Sequence, residues 1–199
     1  MNKKRIEVKS FATLTSYDDN DGKIKIVRND AGEEIGFEVK GTLTKFDYRN
    51  ENDATFKSGS YDKFVDEYFI KNSLNVPVFL QHNDYDIRNI CGKVKELTKT
   101  DSGVEVVAYV PKSAYYYNLI KNYIQEGILQ GFSNAGYALE GEYSEKDGFS
   151  IEEFALLHVA LVTTPADVNG VFQQNTIFKG FGSEEKNEEN HDIELQLIV

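Results

Sequence analysis

The sequence predicts a β-rich α+β domain with two main helices. Three observations lead there. Short apolar runs with period-2 alternation recur between turn signals, two stretches carry apolar residues at helical spacing, and hydrophobic residues make up 40% of the 199-residue chain. That share is ample for a packed core and excludes a wholly disordered chain.

Taken in order, Gly22 to Leu43 reads as a β-hairpin. Ile24 and Val27 precede the turn sequence Asn29-Asp30-Ala31-Gly32, and Ile35, Phe37 and Val39 alternate with polar residues after it. Asn50 to Ser60 is polar and glycine-bearing, a loop by composition. Tyr61 to Asn72 spaces Phe64, Val65, Tyr68 and Phe69 as the apolar face of a helix. Val76 to Gln81 is a short strand whose Pro77 suits its first residues or an edge. A second hairpin pairs Ile90–Leu97 with Val104–Val110 around a turn ending in Gly103, a glycine suited to positive φ. Ser113 to Glu126 is the clearest helix, with Ser113 as N-cap and Gly127 as its stop. Ile128–Phe132, Tyr137–Tyr143 and Phe149–Val162 read as strands, the last two joined at Asp147-Gly148. Phe154 to Val162 is almost continuously apolar, as a strand buried on both faces requires. From Ser183 the chain turns acidic, so the organisation expected is a domain over 1–182 and a tail or docking segment over 183–199. Within that tail Ile193 to Val199 alternates like an edge strand.

Twenty-two basic against 33 acidic residues give a net charge of -11, which repels phosphate backbones and argues against nucleic acid as a partner. One cysteine excludes an internal disulfide framework, and three histidines make a multi-histidine metal site improbable, so no metal or cofactor is expected. No apolar run approaches the ~20 residues that cross a bilayer, and no secretory segment opens the chain, so a soluble intracellular protein without a membrane partner is expected.

Three residues stand out for chemistry. His82 follows the strand Val76 to Gln81, where a ring can be held rigidly over a cleft; a water-facing loop histidine is the plainer reading. Ser133 lies in Gly131-Phe132-Ser133-Asn134-Ala135-Gly136, where small neighbours admit a substrate carbonyl. A serine oxygen needs a base to take its proton and N–H groups to hold the oxyanion. The spacing is not the nucleophile elbow of α/β-hydrolases, and a structural serine in a glycine-bearing turn is the commoner case. His158, inside the apolar run, must find a hydrogen-bond partner, either as a satisfied core residue or as the group that orients a second histidine. A neutral imidazole there brings no negative charge, so such a site is slow. Cys91, in an apolar strand, reads as a core residue rather than a thiolate.

The context of these three is similar to a known family. Val76-Pro77-Val78-Phe79-Leu80-Gln81-His82-Asn83 followed by Gly92-Lys93-Val94 resembles the strand–His–loop–Gly-[Arg/Lys]-Val signature of the HK97-type phage prohead proteases. Phe56 to Phe64 is similar to that family's upstream loop and helix. Ile128-Leu129-Gln130-Gly131-Phe132-Ser133 resembles its nucleophile strand, and Val159 to Asp167 resembles its Val-Ser-Leu-Val-Thr-x-Pro-Ala-Asn signature. Two departures are visible. His158 stands where many members carry an acid, as in the Ser-His-His triad of the related herpesvirus assemblins. Ser133-Asn134-Ala135-Gly136-Tyr137 also has one residue more than the family's Ser-x-Gly-[Tyr/Phe].

The resemblance implies a herpesvirus-protease-like β-barrel with surrounding helices. Ser133 would be the nucleophile, His82 the general base and His158 the third member, with Asn134 and Arg88 as candidate oxyanion or substrate contacts. It implies a serine endopeptidase of phage capsid maturation, located in the prohead in the host cytoplasm. Its substrates would be scaffold, the capsid protein's N-terminal region and itself, and it would act as a homodimer. The rival is a catalytically inactive relative serving as a capsid-assembly or internal structural protein. A small-ester hydrolase is a third reading, and it calls for a deep closed pocket.

Overall fold

The computed structural model describes residues 6–15 (as backbone), 23–50 and 52–163. Among these, nine strands form one mixed sheet: β1 Ile6–Thr15, β2 Lys25–Arg28, β3 Glu34–Lys45, β4 Ala54–Phe56, β5 Pro77–Leu80, β6 Ile90–Thr100, β7 Gly103–Pro111, β8 Gly131–Ser144 and β9 Gly148–Val162. The spatial order is β1-β8-β9-β5-β6-β7-β3-β2, with β4 also on β9 and β1 also on β3. Neighbours pair antiparallel except β4 and β5, which run parallel to β9.

Both expected hairpins form, β2–β3 and β6–β7. Gly103 does not adopt a positive φ. It is small for another reason: a Cβ there would lie 2.0 Å from the Thr44 carbonyl oxygen. The expected loop over Asn50–Ser60 contains β4, whose three residues pair with Phe149, Ser150 and Ile151 of β9. So short a strand is set by its partner and carries no periodicity of its own. Strand β1 carries no clean period either. Ile6, Val8, Ala12 and Leu14 alternate, but Ser10 and Phe11 break the pattern. The expected break between Phe132 and Tyr137 does not occur, because β8 runs unbroken and β9 pairs with it throughout.

The first helix is a π-helix, Phe64–Lys71, which buries Phe64 and Val65 while Tyr68 stays exposed. The second, α1, spans Tyr117–Gln125 and stops at Gly127, whose φ is +76°. Ser113 is not its cap. Turns closed by Ala114 N–H to Pro111 and Tyr117 N–H to Ala114 precede it, and Tyr116 is the capping residue. Ile120 and Ile124 face the core, and Tyr117 packs its ring 5.2 Å from that of Phe37. Glu34 accepts from the Tyr117 hydroxyl at 2.5 Å and from Lys121 at 2.7 Å, which ties α1 to β3.

Two irregularities decide which side chains face inward. Between Thr42 and Thr44 the β3–β7 register shifts, with Leu43 as the extra residue, so Leu43 and Thr44 are both buried although adjacent. Between Ala135 and Gly136 the β8–β9 register shifts, with Leu157 as the extra residue. The core positions of β9 therefore change phase, from Phe154 and Leu156 to Val159 and Leu161, and His158 falls on the opposite face. Gly136 sits at this bulge with the Ala155 carbonyl 2.1 Å and the Phe154 ring 2.6 Å from where a Cβ would be. Gly136→Ala forces the backbone to move, and we expect it to cost about 3 kcal/mol, read as a lowered denaturant midpoint.

The expected tail (183–199) and the alternating stretch at 193–199 lie outside the described residues.

Candidate active site

Period-2 geometry fixes the outer face of the sheet around Ser133. In the antiparallel β8–β9 pair Ser133 lies opposite Ala160, and Ala135 opposite His158, so all four side chains share one face. In the parallel β5–β9 pair Phe79 lies beside Ala160 and joins the same face. The Phe79 ring meets the His158 ring edge-on at 5.0 Å and packs it in place. His158 is 8% exposed, and Ser133 is fully buried.

His82 reaches this face through a turn. Strand pairing continues one residue past β5, with the Gln81 N–H on the Leu161 carbonyl at 3.0 Å. Gln81 and His82 then take φ of +57° and +55°, and Asn83 N–H closes the turn on the Leu80 carbonyl at 3.1 Å. Two consecutive left-handed residues are the mark of a type I′ turn. Without glycine each costs about 1–2 kcal/mol, strain of the kind held at functional sites by surrounding contacts.

Those contacts are a relay of three side chains. His82 Nε2 hydrogen-bonds Ser133 Oγ, and His82 Nδ1 lies 2.8 Å from His158 Nε2. If His82 Nε2 is to accept the serine proton, Nδ1 must carry the hydrogen and donate it to His158 Nε2. The ring between serine and His158 is thereby oriented and limited to one tautomer. The structure thus brings together Ser133, His82 and His158, from residues 51 and 76 apart in sequence.

It does not add the other two expected residues in the way anticipated. Asn134 follows Ser133 along a strand, so its side chain points to the opposite face. There it is buried and donates to Thr44 Oγ1 at 2.5 Å and to the Tyr61 hydroxyl at 2.7 Å. Arg88 forks onto Asp86, two residues away, at 2.5–2.9 Å and lies over the Tyr115 ring at 5.7 Å. A near carboxylate in bidentate geometry outcompetes a distant transient charge.

The sequence signalled neither Phe79's packing on His158 nor the anchors Thr44 and Tyr61. Phe79 shows only as an aromatic in a short strand, and Thr44 turns inward only because of the Leu43 bulge.

Asp86 also caps the 3₁₀ turn Ile87–Asn89 by accepting from the Arg88 N–H. The Arg88 guanidinium and N–H hold its carboxyl below the ordinary 3.8. The lowered folded value means that this tie is intact above the ordinary value and is lost as pH falls through the folded one. We expect the Arg88 amide resonance to move with pH in that acid range in wild type and to stay still in Asp86→Asn.

Between this loop and the approach to α1 lies a cleft of about 640 Å³, lined by Ile87, Arg88, Ile90, Lys93, Tyr109 and Tyr115 among others. Ser133, His82 and His158 are not among its lining residues, although Ile90, which is, pairs with Phe79 across β5 and β6. Cys91 also lines it but is 2% exposed, with its thiol on the Val78 carbonyl at 3.2 Å. Burial pushes that thiol up to about 12. Iodoacetamide is therefore expected to modify Cys91 only after unfolding, which intact mass with and without denaturant checks.

No curated protein matches the sequence. The solved structure of the capsid assembly protease gp21 of bacteriophage T4 matches with a TM-score of 0.63 at 15% identity, over 81% of this chain and 99% of that one. That likeness shows a common fold. Residues 23–178 match the family described as the caudovirus prohead serine protease. That span is most of the chain, and the protein belongs to this family of phage capsid-maturation proteases.

Proposed function

We propose that this serine protease cleaves scaffold, the capsid protein's N-terminal region and itself inside the immature capsid in the host cytoplasm, with Ser133 as nucleophile, His82 as general base and His158 as the group that orients it. The relay from Ser133 Oγ through both nitrogens of His82 to His158 carries this reading.

In the first step His82 Nε2 takes the Ser133 proton as Oγ attacks the peptide carbonyl carbon. The carbonyl π pair moves to oxygen, and N–H donors must hold that oxyanion. His82, now an imidazolium, returns the proton to the leaving amine as the C–N bond breaks. Water then enters by the same route in reverse and frees Ser133. His158 accepts from His82 Nδ1 throughout and stabilises the imidazolium by hydrogen bonding alone, so turnover is slow. That suits an enzyme acting once per particle.

The barrel reading is supported by β1, the first strand of the path, which pairs with β8 on one side and, at Leu14–Gly41 and Thr15–Lys40, with β3, the last but one. A homodimer is proposed by resemblance to the herpesvirus proteases.

Intact mass of the protein co-expressed with the capsid protein of the same phage tests the proposal. Fragments present with Ser133 and absent with Ser133→Ala support it, and their masses locate the cleavage sites. Uncut chains in both samples favour the inactive structural relative. Identical cutting in both removes Ser133 from the reaction.

A further inference from the structure

We infer that Asn134 is a positioning residue for the nucleophile, holding Ser133 in register from the opposite face of β8. The inference rests on the proposed role of Ser133. Asn134 is fully buried, and its Nδ2 donates both hydrogens, to Thr44 Oγ1 on β3 and to the Tyr61 hydroxyl just before the π-helix. The two acceptors also hydrogen-bond each other at 3.1 Å, closing a three-membered network. Tyr61 is fully buried, with its ring 5.7 Å from Phe56 and 5.1 Å from Phe154, and burial pushes its phenol well above the ordinary value, so it stays a neutral partner.

An amide among aromatic rings is costly unless each hydrogen is satisfied. Two acceptors from two different elements satisfy them at one axial position of β8 only. A slip of β8 by one residue moves every side chain to the other face. Ser133 would then enter the core, and the Asn134 amide would leave its two acceptors. Gly136, where a Cβ would lie 2.1 Å from the Ala155 carbonyl, resists such a slip from the β9 side. The amide adds a polar lock directly beside Ser133, as a single buried polar residue fixes register in other folds. Consecutive Cα atoms are ~3.8 Å apart, so the anchor acts directly on the backbone that carries Oγ.

The test needs no known substrate. A fluorophosphonate probe reports the reactivity of Ser133, because the Oγ–P bond forms as fluoride leaves and His82 takes the hydroxyl proton. Labelling rates are measured across pH for wild type, Ser133→Ala, Tyr61→Phe, Thr44→Val and the double variant, each at a temperature well below its melting point. Tyr61→Phe and Thr44→Val keep shape and packing, so they remain folded even where Asn134→Leu does not. A positioning role predicts a fall of about tenfold or more in each single variant, and a double variant little worse than either because both act through one amide. The pH midpoint set by His82 should stay at its wild-type position. Folded variants that label at the wild-type rate, or a shifted midpoint with unchanged limiting rate, overturn the positioning role alone. A wild type that labels no faster than Ser133→Ala overturns the nucleophile itself, and this inference with it.

Discussion

Ser133→Ala is expected to leave a folded protein whose peptide cleavage has fallen by on the order of 10⁴-fold or more. The fold should tolerate the change well. Ser133 is fully buried on a face shared with Ala135 and Ala160, where a methyl group fits, and β8 keeps its backbone pairing with β9 and β1. What disappears is the oxygen bonded to His82 Nε2, the proposed nucleophile. The measurement is a pair of values from one preparation: melting temperature, expected within a few degrees of wild type, and the rate at which fragment masses accumulate. A variant that still cuts at more than a hundredth of the wild-type rate would mean that the chemistry lies elsewhere.

His82→Asn should remove activity to a similar extent, on the order of 10⁴-fold, while the protein becomes no less stable. His82 sits at φ +55° after Gln81 at +57°, a conformation that Asn tolerates better than most side chains. Asn relieves part of the strain, but its amide is not basic and cannot hold a proton for transfer. Loss of the imidazole also ends the contact at 2.8 Å with His158. Stability kept while activity is lost would separate the chemistry of the ring from the architecture of the turn. The wild-type rate should fall on the acid side as His82 takes up a proton and can no longer accept one. The His82→Asn residual rate should lack that limb, and a residual rate with an unchanged acid limb would remove His82 as the base.

Much of this protein was legible in its sequence. Alternation and turn residues located the β2–β3 and β6–β7 hairpins, and helical spacing located both helical segments to within a few residues. These signals are local: they depend on neighbours within one strand or two turns, so a linear string contains them. The identities of Ser133, His82 and His158 were readable for the same reason, each in a short context of its own.

Their meeting was legible only through the family resemblance and not from any local pattern. The three come from β8, the turn after β5, and β9, and only the order β8-β9-β5 in the sheet places them side by side. Facing was decided by pairing as well. The extra residues Leu43 and Leu157 each reverse the phase of a strand, one turning Thr44 inward to Asn134 and the other turning His158 outward to His82. An apolar run such as Phe154 to Val162 carries no mark of that reversal, because residues of both faces are apolar. The side-chain placements of Asn134 and Arg88 were not legible for related reasons: alternation sends the Asn134 side chain to the far side of the strand that holds Ser133, and Asp86 holds Arg88 by proximity. The sequence by itself determined which groups are present and which local elements they sit on. The tertiary structure decided which of them touch, because a bulge or a cross-strand hydrogen bond exists only between strands that are distant in the chain.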